Sequence, residues 1–275
     1  LVVDKDSNAG IPYVTIGLSL ENTGVNADET GRFQLLSNGK FENDTLVISC
    51  VGYESKRIPI SSLQDASIQI ELKRSTNALH EVIVAAKTKP TYLRLNEPGS
   101  CTDCHEFQAT EINWCQLSQL IRSPISNQIV SSVTFCTTGD RYPSEKALFR
   151  VRFYAVDSVL KSPSYDLCNR LIEVDATHRR NVTVDLDEYN IVIRDSAFFV
   201  GIEWLKTPQM MADKKLYVDG TTDLYYGPGF ALREVKDPSS TAWMMDYKGK
   251  WHQLKDCLAK GRTMMSLVVS ATVRY

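Results

Sequence analysis

The sequence contains no apolar run near the ~18–20 residues that a membrane-spanning helix needs, and no signal-peptide pattern opens it. It has almost no net charge. Its 31 Lys and Arg stand against 33 Asp and Glu, for a formal charge of −2. That removes the strongest argument for nucleic acid, because a surface that tracks phosphates usually shows a basic excess, and no nucleic-acid partner is expected. The local run His178-Arg179-Arg180 reads as a solvated turn. Histidine is scarce: His80, His105, His178 and His252 lie far apart and form no H-E-x-x-H. A G-x-S-x-G elbow, a P-loop and a dinucleotide fingerprint are also missing. These gaps remove the common sequence warrants for metallopeptidase, serine hydrolase, NTPase and dehydrogenase chemistry, and the expectation is a non-catalytic protein without a cofactor.

What is present is an ordinary globular composition, 43% apolar and 23% charged, over 275 residues, comfortable for two domains. The chain opens at Leu1-Val2-Val3-Asp4, already strand-like, so its natural N-terminus is expected further upstream. Alternation at period 2 dominates the first third. Val14, Ile16, Leu18 and Leu20 share one face. Asp28-Glu29-Thr30-Gly31 is a hairpin turn with Gly31 at positive φ, after which Phe33 and Leu35 resume the alternation. Strands are expected at 1–4, 11–20, 45–51, 54–60, 67–72 and 81–85, with a hairpin over 24–36. Cys50 joins Leu46 and Ile48 on a buried face. Gly52 marks a bulge or a close backbone approach, and Tyr53 buries its ring while keeping its hydroxyl wet.

Four pieces of this region carry a family resemblance: Ile11-Pro12 leading into an alternating strand, Gly24 with Asp28, Gly31 and Phe33, Val51-Gly52-Tyr53-Glu54, and Leu79-His80-Glu81-Val82-Ile83-Val84. Together they resemble the carboxypeptidase regulatory-like domain, although Val25 and Ala27 stand where that family often has threonines. The resemblance implies a small seven-stranded Greek-key, prealbumin-like sandwich over residues 1–87. It also implies the outer-membrane and surface proteins of Gram-negative bacteria as the setting, periplasmic or at the cell surface. The peptidase zinc site that accompanies this domain in metallocarboxypeptidases is absent from the chain.

Pro90, Pro98 and Gly99 mark residues 88–100 as a linker. Beyond it, strands are expected at 130–137, 148–156, 170–174, 182–186, 197–205, 216–219, 242–247 and 264–274, with 111–122 fitting helix and strand equally. Phe149, Val151, Phe153 and Ala155 form one face, as do Phe198, Val200, Ile202 and Trp204. Residues 101–275 read as a larger jelly-roll-type sandwich. They are similar to the second domain that accompanies the regulatory-like domain in such surface proteins, on the strands Phe149–Tyr154 and Phe199–Trp204 and on Val184-Asp185-Leu186. The whole chain is thus expected to be all-β, in two units set against each other.

Six cysteines, Cys101, Cys104, Cys115, Cys136, Cys168 and Cys257, all follow residue 100. They suit either a disulfide framework, with its 15 connectivities, or buried thiols. Cys101-Thr102-Asp103-Cys104-His105 matches the C-x-x-C-H attachment pattern of c-type haem. No helical cytochrome unit surrounds it, and thiols or a disulfide are expected instead; zinc at Cys101, Cys104 and His105 would lack a fourth ligand. Asp219-Gly220-Thr221-Thr222-Asp223 offers calcium only two carboxylates. Asp185, Asp187 and Glu203 are the acids that a glycosidase reading would use; for Glu203 the plainer expectation is exposure, or pairing with Arg150 or Arg152 across strands.

The leading functional expectation is an extracytoplasmic binding or adhesion module for a glycan or a surface protein. Candidate contacts are Trp243, Trp251, Tyr225 and Tyr226, in a stretch read as loop-rich, with Glu203. The competing expectations are a structural spacer or accessory domain pair of a surface assembly, then a hydrolase accessory protein. Any attachment to the outer membrane would run through residues outside this chain.

Overall fold

The computed structural model describes residues 1–35, 43–63, 67–75, 89–96, 101, 104–110, 114–138, 145–216, 222–257 and 264–275. Among them the architecture is all-β, with one four-residue α-helix, Leu254–Cys257. Two large apolar cores form. One gathers buried residues of the first 72 positions, and the other gathers buried residues between 95 and 273 together with Tyr13.

In the first half a four-stranded antiparallel sheet runs in the order Thr23–Asn26, Thr15–Leu18, Thr45–Ser49, Lys56–Pro59. Val2–Asp4 pairs in parallel with Ile70–Leu72 beside it. Alternation works as expected for Val14, Ile16, Leu18, Leu46, Ile48 and Cys50, all buried in one core. Leu20 departs from it at 65% exposed. The strand ends at Leu18, and the Asp44 carboxylate accepts the Leu20 and Glu21 amides, turning the chain away from the core. The hairpin turn forms where expected: Asp28 accepts the Thr30 and Arg32 amides, and Gly31 sits at φ +81°. Phe33 and Leu35 then pack on the core from outside any strand. Tyr53 donates its hydroxyl to Asp4 at 2.9 Å. Burial and this bond push its pKa up to about 12. The expected closing strand at 81–85 lies outside the described residues.

The second half is a larger sandwich. A seven-stranded sheet contains Leu148–Val156, Ala197–Trp204 and Trp114–Arg122 at its centre, which resolves 111–122 in favour of strand from Trp114 onward. A five-stranded sheet contains Gln128–Cys136 and Val269–Arg274. Part of the stretch read as linker is sheet: Tyr92–Leu95 pairs with Val269–Arg274 in the second half. Pro90 stands just before this strand, and Pro98 and Gly99 lie outside the described residues. Between the sheets Phe135, Phe149, Phe230 and Trp204 meet edge to face, with centroids 5.1–6.0 Å apart. Such geometry adds about 0.5–1.5 kcal/mol per pair beyond area burial. The Trp204 indole donates to the Pro228 carbonyl at 3.0 Å, so its polar atom is not stranded in the core.

The stretch read as loop-rich is mostly strand. Thr222–Glu234 is a single long strand, with a register shift between Tyr226 and Phe230 where Gly227-Pro228-Gly229 interrupts the pattern. Trp243–Asp246 and Trp251–Gln253 form a hairpin on the seven-stranded sheet.

The halves meet through polar groups. The outer face of the seven-stranded sheet carries Arg150, Arg152, Tyr154 and Glu203 toward the first half. Thr23–Asn26, an edge strand, is covered there. Asn26 donates its amide to the Lys206 carbonyl at 3.2 Å and accepts the Lys206 amide at 2.8 Å. Tyr247 donates its hydroxyl to the Gly24 carbonyl at 3.3 Å. Each half also lends a side chain to the other's core: Tyr13 joins the second core, and Leu171 packs on the first. Gly52 fulfils the close approach expected of it. At φ +80°, a Cβ built there would stand 2.8 Å from the Asn169 carbonyl oxygen. Gly52→Ala is therefore expected to lower the unfolding free energy by about 1–3 kcal/mol, measured by urea titration; unchanged stability would mean that the approach is not constrained.

Candidate functional site

Between the two halves lies a cleft of about 790 Å³. One wall is the first half's sheet, at Thr15, Val47 and Ser49, with the Cys50–Tyr53 turn. The other is the outer face of the seven-stranded sheet. Alternation along Leu148–Val156 places Phe149, Val151 and Phe153 in the core, and so sends Arg152 and Tyr154 to the opposite face.

Arg152 organises the floor. It donates to both Asp166 carboxylate oxygens, at 2.9 Å each, and to Glu203 Oε2 at 2.7 Å. Glu203 Oε1 accepts the Thr15 hydroxyl at 2.8 Å, so both of its oxygens are engaged. Burial by itself would raise the Glu203 pKa; Arg152 and then Arg150, with the Thr15 bond, outweigh it and hold the carboxyl below its usual range. The expectation of cross-strand pairing to Arg152 is met, whereas exposure is not: Glu203 is 3% exposed. Tyr154, also buried, donates its hydroxyl to Gln116 Oε1, and burial lifts its pKa well above the tyrosine range.

Trp251 stands over this floor, edge to face with Tyr154 at 5.3 Å. Its hairpin is fixed by Asp246, whose carboxylate accepts the Lys248 and Lys250 amides and pairs with His252 Nε2 at 2.9 Å. Among the described residues, three cations (Arg57, Arg152, Lys248) and three carboxylates (Asp166, Glu203, Asp246) line the cleft, a balance of charge.

Of the residues expected to bind, Glu203 and Trp251 come together here. Tyr226 does not: it is 8% exposed in the second core and lines a separate groove with Lys206 and Met211. Trp243 and Tyr225 line neither space and are half-buried strand residues. Sequence reasoning missed Tyr154, Arg152 as organiser, and Asp166. Asp185 and Asp187 lie apart from Glu203, with Asp187 paired to Arg274 at 3.2 Å.

The thiols in and near the cleft are poor nucleophiles. Burial pushes Cys115 up to about 12 and raises Cys50 and Cys168 as well, so each is protonated at neutral pH. Cys101 is bonded to Cys136, whereas Cys50, Cys104, Cys115, Cys168 and Cys257 are outside disulfides. The haem pattern thereby loses one of its two thiols to a partner 35 residues away. His105 pairs with Glu234 at 3.5 Å. Among the described residues no group of three or more His, Cys, Asp and Glu converges as metal ligands; Asp219 and Gly220, weighed for calcium, lie outside them. No helix among the described residues is long and apolar enough to cross a membrane.

No curated protein matches the chain. Among solved structures it is similar to the clostridial cysteine protease Cwp84 after propeptide cleavage, at 9% identity and TM-score 0.44, covering 68% of this chain and 41% of that one. It is also similar to the cysteine protease and lectin-like domains of Cwp84, a surface-layer-associated protein of Clostridium difficile. There the identity is 10% and the TM-score 0.40, over 63% of this chain and 36% of that one. The chain thus spans less than half the length of either structure. The family model described as a CarboxypepD_reg-like domain matches residues 1–84. With the sheet, the Asp28–Gly31 turn and the Gly52 approach seen in that same segment, the first third of the chain is a carboxypeptidase regulatory-like domain.

Proposed function

We propose that this protein is a non-catalytic, extracytoplasmic binding module whose ligand is a neutral glycan held in the cleft between its halves. The observation that carries the reading is a charge-balanced cleft with an aromatic wall. The acids and bases of its floor are spent on one another, as Arg152 with Asp166 and Glu203. What they leave to a ligand is ring surface at Trp251 and hydrogen-bonding groups such as Ser164 and Asn169. A sugar offers the complement, an apolar ring face edged by hydroxyls. The absence of catalysis is supported by Glu203. A glycosidase acid needs a raised pKa, and a nucleophile needs an open oxygen; Glu203 has a lowered pKa and two occupied oxygens. The Cys101–Cys136 disulfide supports an oxidising compartment.

The test is a glycan array followed by calorimetry with Trp251→Ala. Binding of neutral glycans is expected, weakened about tenfold or more by the substitution, with the sugar recovered uncleaved. If no glycan binds, the protein-partner or spacer reading takes its place. Cleavage that disappears in Glu203→Gln would make the protein an enzyme.

A further inference from the structure

The cleft does not end at its own rim. Tyr165, Cys168 and Asn169 line it on one side and, on the other, line a second groove of about 580 Å³. The two spaces therefore flank a common ridge, formed by the end of the Pro163–Asp166 strand and the segment that follows it. Tyr165 is 65% exposed on that ridge.

The ridge is fixed at several points. Leu167 donates its amide to the Phe153 carbonyl at 2.8 Å. The Asn169 carbonyl lies under Gly52, and Leu171 enters the first core. Arg170 donates to the Glu188 carbonyl at 2.7 Å and stacks on Tyr189, 4.5 Å from the ring centroid. Trp251, Tyr165 and Tyr189 thus mark the cleft, the ridge and the far groove in turn. The far groove repeats the charge balance, with Arg170 and Arg194 against Glu188 and Asp195. Both spaces accordingly favour the same kind of ligand, one without net charge.

We infer that the two grooves form one extended binding path, and that the ligand is a segment of a neutral polysaccharide crossing the Tyr165 ridge rather than a mono- or disaccharide. This rests on the glycan reading of the cleft and adds chain length and route to it. A preformed path gains affinity with each further sugar seated, because neither wall has to be ordered at the moment of binding.

The full chain would be titrated calorimetrically with disaccharides and hexasaccharides of the cello, xylo, malto and N-acetylchito series. The hexasaccharide of a bound series is expected to bind at least about tenfold more tightly than its disaccharide. Tyr165→Ala should remove most of that gain and leave the disaccharide Kd unchanged, whereas Trp251→Ala should weaken both. Tyr189→Ala should act like Tyr165→Ala, with Tyr189→Phe retaining the gain. Equal affinity for the two lengths would overturn the extended path and leave the cleft reading standing. So would a length gain that survives Tyr165→Ala. If no series binds at all, the glycan reading of the cleft falls, and the path with it.

Discussion

Arg152→Met is expected to lower the unfolding free energy by about 3–5 kcal/mol. Arg152 is 11% exposed at its side chain, and Glu203 is 3% exposed beside it. Removing the guanidinium leaves Glu203 buried, with the Thr15 hydroxyl and the more distant charge of Arg150 for compensation. Asp166, 38% exposed, can be rehydrated. Two further measurements identify the cause. In the native protein the Glu203 pKa is depressed. Its contribution is therefore complete above the unfolded carboxylate pKa of about 4.3, and is lost as pH falls through the lower folded value. In Arg152→Met burial pulls the other way, and protonation relieves the buried charge. The stability gap between the two proteins should consequently narrow as pH falls from neutrality toward the carboxylate range. Adding Glu203→Gln to Arg152→Met should recover part of the loss. Urea unfolding at a series of pH values measures both; a gap independent of pH would mean that Arg152 acts through packing alone.

Arg150→Met is expected to cost about 3 kcal/mol and to change the form of unfolding. Arg150 has a fully buried side chain, paired with Glu173 at 2.9 Å. It donates to the carbonyls of Tyr13 at 2.9 Å and Pro12 at 2.8 Å, both in the first half. Methionine fills much of the volume but supplies no donor, so two carbonyls at the joint lose their partner. With the joint weakened, calorimetry should resolve two heat-absorption peaks in place of one, the lower belonging to the smaller regulatory-like half. A single unshifted peak would show that the remaining contacts, the Asn26–Lys206, Tyr247–Gly24 and Thr15–Glu203 bonds with the apolar exchange of Tyr13 and Leu171, couple the halves without Arg150.

Legibility in the sequence followed the physics of alternation. Where one face of a strand meets a core, the period of 2 is plain, as in Phe149–Ala155 and Phe198–Trp204. For Glu203, on the opposite face, exposure was one of the two expectations, and it failed. Arg150 and Glu203 are buried by Pro12, Tyr13 and Thr15, more than 130 positions away in the chain, and no local pattern encodes that contact. The pairing of Glu203 with an arginine was legible because Arg150 and Arg152 share one face of the neighbouring strand: the register sets Arg150 opposite Glu203, and Arg152, two positions on, makes the ion pair. Trp251 was singled out because aromatics gathered near it, yet Tyr226 and Tyr225 belong to a long strand whose Gly227-Pro228-Gly229 interruption reads as loop. The companion of Trp251 proved to be Tyr154, almost a hundred residues earlier, placed by the sheet rather than by sequence neighbourhood.

The reciprocal loan of Tyr13 and Leu171 bears on how such a protein could be recombined. A regulatory-like half moved onto another scaffold would carry Tyr13 outward with no pocket to receive it, and Thr23–Asn26 would be left as a bare template for a neighbouring chain. A second half separated from its companion would strand Arg150 and Glu203 at a surface shaped for someone else's carbonyls. The two units are consequently poor interchangeable parts. Selection should pass them on as a matched pair, with changes at Tyr13, Asn26 or Gly52 answered by changes at Arg150, Lys206 or Asn169.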